Sequence, residues 1–170
     1  MKRSLLGLAL LLLPMFLPAQ SIGLPCAKSN LALDLRLDQI ESGHYKLVAH
    51  LSFNAGSYVI SPADTLSILS PFQLDFGDGA PIELTRAMTE FPGYQNLYEP
   101  ALASDMRILR SPTLFTQPFK VNASGDFVAS GQAFFVLEPS CVPYALDFTL
   151  TQRDGLLALE AGEIHTEYGD

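Results

Sequence analysis

The chain has 170 residues with 18 acidic side chains against ten basic ones, a formal net charge of −8, so its surface repels phosphate backbones and anionic headgroups. That argues against nucleic-acid and membrane-surface binding as its work. With 48% hydrophobic residues and no low-complexity tract or internal repeat, the length suits one domain with a proper core.

Lys2 and Arg3 precede an apolar run at 5–13, and Leu17-Pro18-Ala19 ends on a small residue suited to cleavage before Gln20. This is the pattern of a secretory signal peptide over 1–19, followed by a single domain over 20–170. The apolar run is shorter than the roughly 20 residues a membrane-spanning helix needs, and Pro25 is unsuited to lipidation of Cys26. The expectation is an exported chain, periplasmic or secreted, with no membrane span once the leader is removed. Losing Lys2 and Arg3 leaves eight basic against 18 acidic residues, a net charge of −10.

After the leader, residues 31–37 (LALDLRL) alternate leucine with small or polar residues, as a strand with one buried face requires. Glu41-Ser42-Gly43 turns the chain into a second strand at 44–54, with Tyr45, Leu47, Ala49, Leu51 and Phe53 on one side. Ala55-Gly56 breaks that ladder, and residues 57–62 (SYVISP) form a short third strand ended by proline. Residues 64–70 are ambiguous between a helical turn and a strand edge. Residues 72–76 alternate again, and Asp75-Phe76-Gly77-Asp78-Gly79 closes them in a turn where glycine takes positive φ.

Residues 89–104 read as the longest irregular stretch, rich in aromatics and therefore a candidate functional loop. Strands follow at 106–109 and 114–121, with a turn at Ser124-Gly125-Asp126. Two buried strands are then expected at 132–137 and 145–150, joined by Glu138-Pro139-Ser140-Cys141-Val142-Pro143. The two prolines remove backbone donors on either side of Cys141, placing it on a stiff connection outside the ladder. Arg153-Asp154-Gly155 makes a last turn into 156–159, and the residues beyond read as a linker. Seven to nine short strands without an amphipathic helix predict an all-β, immunoglobulin-like two-sheet sandwich. The absence of tryptophan excludes an antibody-type core.

No strong catalytic motif is present. His44, His50 and His165 are scattered, so no metal site is expected, and no cofactor is implied. Asp75-Phe76-Gly77 matches the kinase triplet alone, and a hairpin turn accounts for it. Phe76-Gly77-Asp78-Gly79 also resembles the turn of polycystic-kidney-disease domains, without their preceding tryptophan. A loop likewise accounts for Asn122-Ala123-Ser124. The remaining chemistry is sulfur. In an exported chain, Cys26 and Cys141 are a disulfide candidate; alternatively Cys141 is a free thiol. Glu138 and Asp147 lie close to Cys141 in sequence and no Lys or Arg falls within 131–151, an environment that disfavours a thiolate.

Three stretches in this order, Gly56-Ser57-Tyr58-Val59-Ile60-Ser61, Thr89-Glu90-Phe91-Pro92-Gly93 and Cys141-Val142-Pro143, resemble the amino-terminal periplasmic domain of the disulfide reductase DsbD, over about residues 31–151. The resemblance implies an immunoglobulin-like sandwich with a cysteine pair on a hairpin, shielded by a cap loop that opens to a thioredoxin-like partner. It implies Cys141 as the second cysteine with Pro143 after it, Tyr58 near the sulfur, and Glu90 and Phe91 in the cap or partner-binding loop. The first cysteine is missing: 131–140 contains none, and Val136 or a near neighbour stands in its place. Tyr144 also stands where a second proline is common. The expectation is thus a non-catalytic protein-interaction module with a degenerate redox site and a protein partner in the cell envelope. The alternative is thiol-disulfide exchange through Cys141 with Cys26 as its resolving partner. Because large apolar loop residues need burial, Glu90 and Phe91 are expected to pack over the hairpin.

Overall fold

A computed structural model describes residues 30–64 and 70–166. The leader at 1–19, Cys26 and most of the ambiguous segment at 64–70 lie outside the described residues. The described chain is all-β, with strands β1 (Ala32–Glu41), β2 (His44–Ser52), β3 (Val59–Ile60), β4 (Gln73–Asp75), β5 (Ile82–Leu84), β6 (Thr89–Phe91) and β7 (Gln95–Glu99). They are followed by β8 (Ser104–Leu109), β9 (Thr113–Val121), β10 (Phe127–Leu137), β11 (Val142–Arg153), β12 (Leu156–Ala161) and β13 (His165–Thr166).

Two five-stranded antiparallel sheets form an immunoglobulin-like sandwich. One runs β1-β2-β9-β5, with β6 also paired to β9; the other runs β12-β11-β10-β4, with β13 also paired to β11. Period-2 patterning decides which faces meet. Tyr45, Leu47, Ala49 and Leu51 of β2 and Phe115 and Phe119 of β9 are buried against Ala133, Phe135 and Leu137 of β10 and Leu146, Phe148 and Leu150 of β11. Phe72 and Phe76, flanking the short β4, bridge the layers. The Phe72 ring stacks on Phe115 at 3.7 Å between centroids and lies 6.2 Å from Phe135, while Phe76 contacts Phe119 and Phe148. Gly131 is needed here for a close approach: a Cβ on it would lie 2.4 Å from Cζ of Phe148 and 2.6 Å from the carbonyl oxygen of Asp75.

A third, three-stranded sheet, β3-β8-β7, was not expected from the sequence. Its small core is Ile60, Met106 and Ile108, with Tyr58 and Leu97 packed against it. It corrects the reading of 89–104 as irregular, because that stretch contains β6, β7 and the start of β8. Hairpin pairing with Met106 and Ile108 organises a segment whose own Pro and Gly content points to a loop. The segment from 160 to 166 is likewise no linker, as β12 continues to Ala161 and β13 pairs with Tyr144 and Ala145. The turn at Asp154-Gly155 has the expected form, with φ of 50° and 78° in a two-residue connection between Arg153 and Leu156.

Candidate functional site

The hairpin of β10 and β11 is in register from Phe127↔Gln152 to Leu137↔Val142, leaving residues 138–141 as its connection. The Ser140 hydroxyl donates to the Leu137 carbonyl at 2.9 Å, closing the turn. Cys141 sits at its end, exposed, with a free thiol and φ of 54°. That left-handed conformation costs a non-glycine residue about 1 kcal/mol. Pro143, expected to hold the cysteine outside the ladder, lies inside it: it is buried in β11 and pairs with Val136. Val136, which with its near neighbours stands where the resemblance expects the missing cysteine, is fixed opposite Pro143, with Cys141 beyond the end of the ladder.

Glu138 organises the site. Its residue is only 4% exposed, and its backbone forms a two-way bridge with Tyr58: Tyr58 N donates to Glu138 O at 3.0 Å, and Glu138 N to Tyr58 O at 2.9 Å. The thiol of Cys141 donates to Oε2 of Glu138 at 3.2 Å. This hydrogen bond, followed by the negative charge of Glu138 and then by desolvation, pushes the Cys141 thiol above its ordinary pKa. The sulfur is thereby held as a neutral thiol, the poorer nucleophile. The Tyr58 phenol is also raised, chiefly by burial and then by Glu138, Glu99 and Cys141, while Arg110 opposes the shift. The Arg110 guanidinium lies 5.8 Å from the centre of the Tyr58 ring and reaches the Ser57 carbonyl. Its charge acts on the phenol; only Glu138 and desolvation move the thiol.

The candidates fall into two groups. Cys141 and Tyr58 come together around Glu138, and Cys26 lies outside the described residues. Glu90 and Phe91 belong to β6, paired to β9 through Glu90↔Phe115 and Phe91↔Leu114. Successive residues of a strand point to opposite faces, and the two diverge accordingly. Glu90 accepts hydrogen bonds from the fully buried Ser61 hydroxyl at 2.9 and 2.7 Å. Phe91 is 72% exposed beside the exposed Leu114. The expectation that Phe91 packs over the hairpin is thus corrected: strand pairing, rather than burial of its ring, holds this segment. Arg110 and Glu99 carried no signal in the sequence, and Ser61 entered only as the end of a resembling stretch, since each acts on the site through tertiary placement. Glu138, three residues before the cysteine in a two-proline turn, was visible as a neighbouring charge.

Among the described residues, no group of three His, Cys, Asp or Glu side chains is placed to hold a metal ion. His44 and His50 lie on β2 and His165 on β13 of the other sheet. No family model, curated protein or solved structure matches the chain.

Proposed function

We propose that this is an exported protein-binding module of the DsbD amino-terminal type whose remaining hairpin cysteine does not catalyse disulfide exchange. The observation that carries the reading is the Cys141 thiol bonded to the Glu138 carboxylate, an arrangement that stabilises the protonated sulfur. Exchange also needs a second thiol to resolve the mixed disulfide, and the hairpin sequence from 131 to 150 supplies none besides Cys141. The exposed Phe91 and Leu114 supply apolar surface of the kind protein partners cover. The leader pattern at 1–19 supports export to the periplasm or beyond, and a thioredoxin-like protein of the cell envelope is the partner class that the sequence resemblance suggests.

The test combines transfer and binding. The reduced protein is mixed with an oxidised thioredoxin-like domain, quenched with acid and resolved by mass. The reading expects neither reduction of that domain nor a mixed disulfide within minutes. Rapid transfer would overturn it. Binding measured with Cys141→Ser is expected to stay within about threefold of wild type, since the hydroxyl can still donate to Glu138.

A second reading rests on the exposure of Cys141 at the end of the turn and its left-handed φ, because strained residues cluster at functional sites. In it, Glu138 takes the thiol proton as the sulfur attacks a partner disulfide. A new S–S bond forms, the partner's bond breaks, and its second sulfur leaves as a thiolate. Cys26 would then have to displace the partner. Accumulation of an unresolved mixed disulfide in Cys26→Ser, with Cys141 intact, would favour this reading.

A further inference from the structure

We propose that the free edge of β7 is a docking site for an extended, cationic segment of a partner protein, which adds to the β3-β8-β7 sheet as a fourth strand. The inference rests on the reading of the chain as a protein-binding module and assigns it a mode of recognition.

Strand β7 stands at the end of its sheet, so on its outer side the backbone amides and carbonyls have no strand partner among the described residues. Folded proteins usually blunt such edges by shortness, bulges, proline or charge. Most other margins of this molecule follow that rule, the six-residue β12 excepted. Strands β3, β4, β5 and β6 have two or three residues each. Strand β1 carries Asp34, Arg36 and Asp38 and a register shift between Gln39 and Glu41, and β12 approaches β1 across the sandwich margin. Strand β7 has five residues, QNLYE, with no proline, lysine or arginine. Its ladder with β8 runs from Gln95↔Ile108 to Glu99↔Ser104 without a shift. It is a regular, unguarded template for strand addition.

Side chains on one face of this edge define what would bind. With period 2, Tyr94, Asn96 and Tyr98 share a face with Arg107, opposite Asn96, and Asp105, opposite Tyr98. Tyr94 and Tyr98 are 43% and 60% exposed. The Arg107 guanidinium is already engaged, lying 4.8 Å from the centre of the Tyr94 ring and donating to the Ala63 carbonyl. Asp105 forms no ion pair among the described residues, while Glu99 belongs to the opposite face, where it acts on Tyr58 and accepts from the Ala101 amide at 3.1 Å. With Arg107 drawn toward Tyr94 and Ala63, the edge offers the exposed Tyr98 ring beside the Asp105 carboxylate on a chain of net charge −8, which suits lysine or arginine alternating with apolar residues. A second copy of this chain is a poorer occupant, because both copies would bring a net charge of −8 and the same carboxylates together.

The experiment uses the 15N-labelled protein and an acetylated, amidated heptapeptide alternating lysine with valine. The expected result is saturable shifting of the amide signals of 95–99, at least about tenfold weaker binding when alternate peptide amides are N-methylated, and a similar loss for a glutamate–valine peptide. Tyr98→Lys with Asp105→Lys, both at exposed positions, is expected to weaken binding as strongly. Shifts confined to 138–141 and Phe91, equal binding of the N-methylated peptide, or self-association through 95–99 would each overturn the proposal. Shifts at 138–141 would leave the protein-binding reading standing, and disulfide transfer by Cys141 would overturn that reading without touching β7.

Discussion

Phe72 tests the account of how the two sheets are held together. Replacing it by alanine removes a ring that is 1% exposed and stacked on Phe115 at 3.7 Å. Core Phe→Ala changes cost about 3–5 kcal/mol through lost transfer energy and residual cavity. The value belongs at the upper end here, because an aromatic pair adds about 0.5–1.5 kcal/mol beyond its buried area. Taking about 5 kcal/mol and a urea m-value of about 2 kcal/mol/M, the unfolding midpoint falls by about 2.5 M. The measurement is urea unfolding followed by circular dichroism, with Phe91→Ala as the matched control. Phe91 is the same residue type at 72% exposure and is expected to change stability by no more than about 0.5 kcal/mol. A loss below about 1.5 kcal/mol for Phe72→Ala, or an equal loss for the control, would refute the assignment of Phe72 as the inter-sheet bridge.

The other predictions concern the site and its supports. Glu138→Gln removes the charge that raises the Cys141 thiol, so the midpoint of iodoacetamide alkylation against pH is expected to fall from above the ordinary thiol value toward it. A wild-type midpoint at or below that value would refute the role of Glu138. The sign for stability follows: a thiol raised in the native state stabilises the fold below its unfolded pKa, and that contribution is lost as pH rises through the native value. The gap between wild type and Glu138→Gln should therefore shift against wild type in alkali. Gly131→Ala drives a methyl group into Phe148 and the Asp75 carbonyl; at about 1–3 kcal/mol for overpacking it should lower Tm by roughly 3–10 °C, and a change under about 1 °C would contradict the geometry. Ser61→Ala withdraws the donor of both Glu90 hydrogen bonds and is expected to cost about 1–2 kcal/mol, with faster hydrogen exchange at 89–91 than in β10 and β11. Unchanged exchange there would show that strand pairing alone holds β6.

The layers of the sandwich were legible because β9 alternates throughout, β2 and β11 alternate over most of their length, and β10 is an apolar run bounded by turn residues. The turns at 41–43, 75–79 and 153–155 were legible through Gly and Asp. The small third sheet was not, because β7 and β8 earn their pairing from Met106 and Ile108 in tertiary contact, while Pro92, Gly93 and Pro100 suggest a loop locally. At the site, the proximity of Glu138 to Cys141 could be read from three residues of spacing. The approach of Tyr58 depended on a bridge across 80 residues of chain, which the sequence resemblance suggested and periodicity did not. Phe91 misled because a large apolar residue normally seeks burial, whereas the alternation of β6 directs Glu90 inward and leaves the ring outside.

The two-way bridge between Tyr58 and Glu138 has a consequence for what chemical modification at this turn would do. The bridge fixes the glutamate backbone, and in this 4% exposed residue the Cys141 thiol donates to the carboxylate at 3.2 Å, in place of solvent. Alkylation or oxidation of the sulfur removes that proton and leaves a buried anion without its donor. A reagent small enough to react with an exposed cysteine would thus report on the inside of the protein, since the damage would register as loosening between the hairpin and the small sheet.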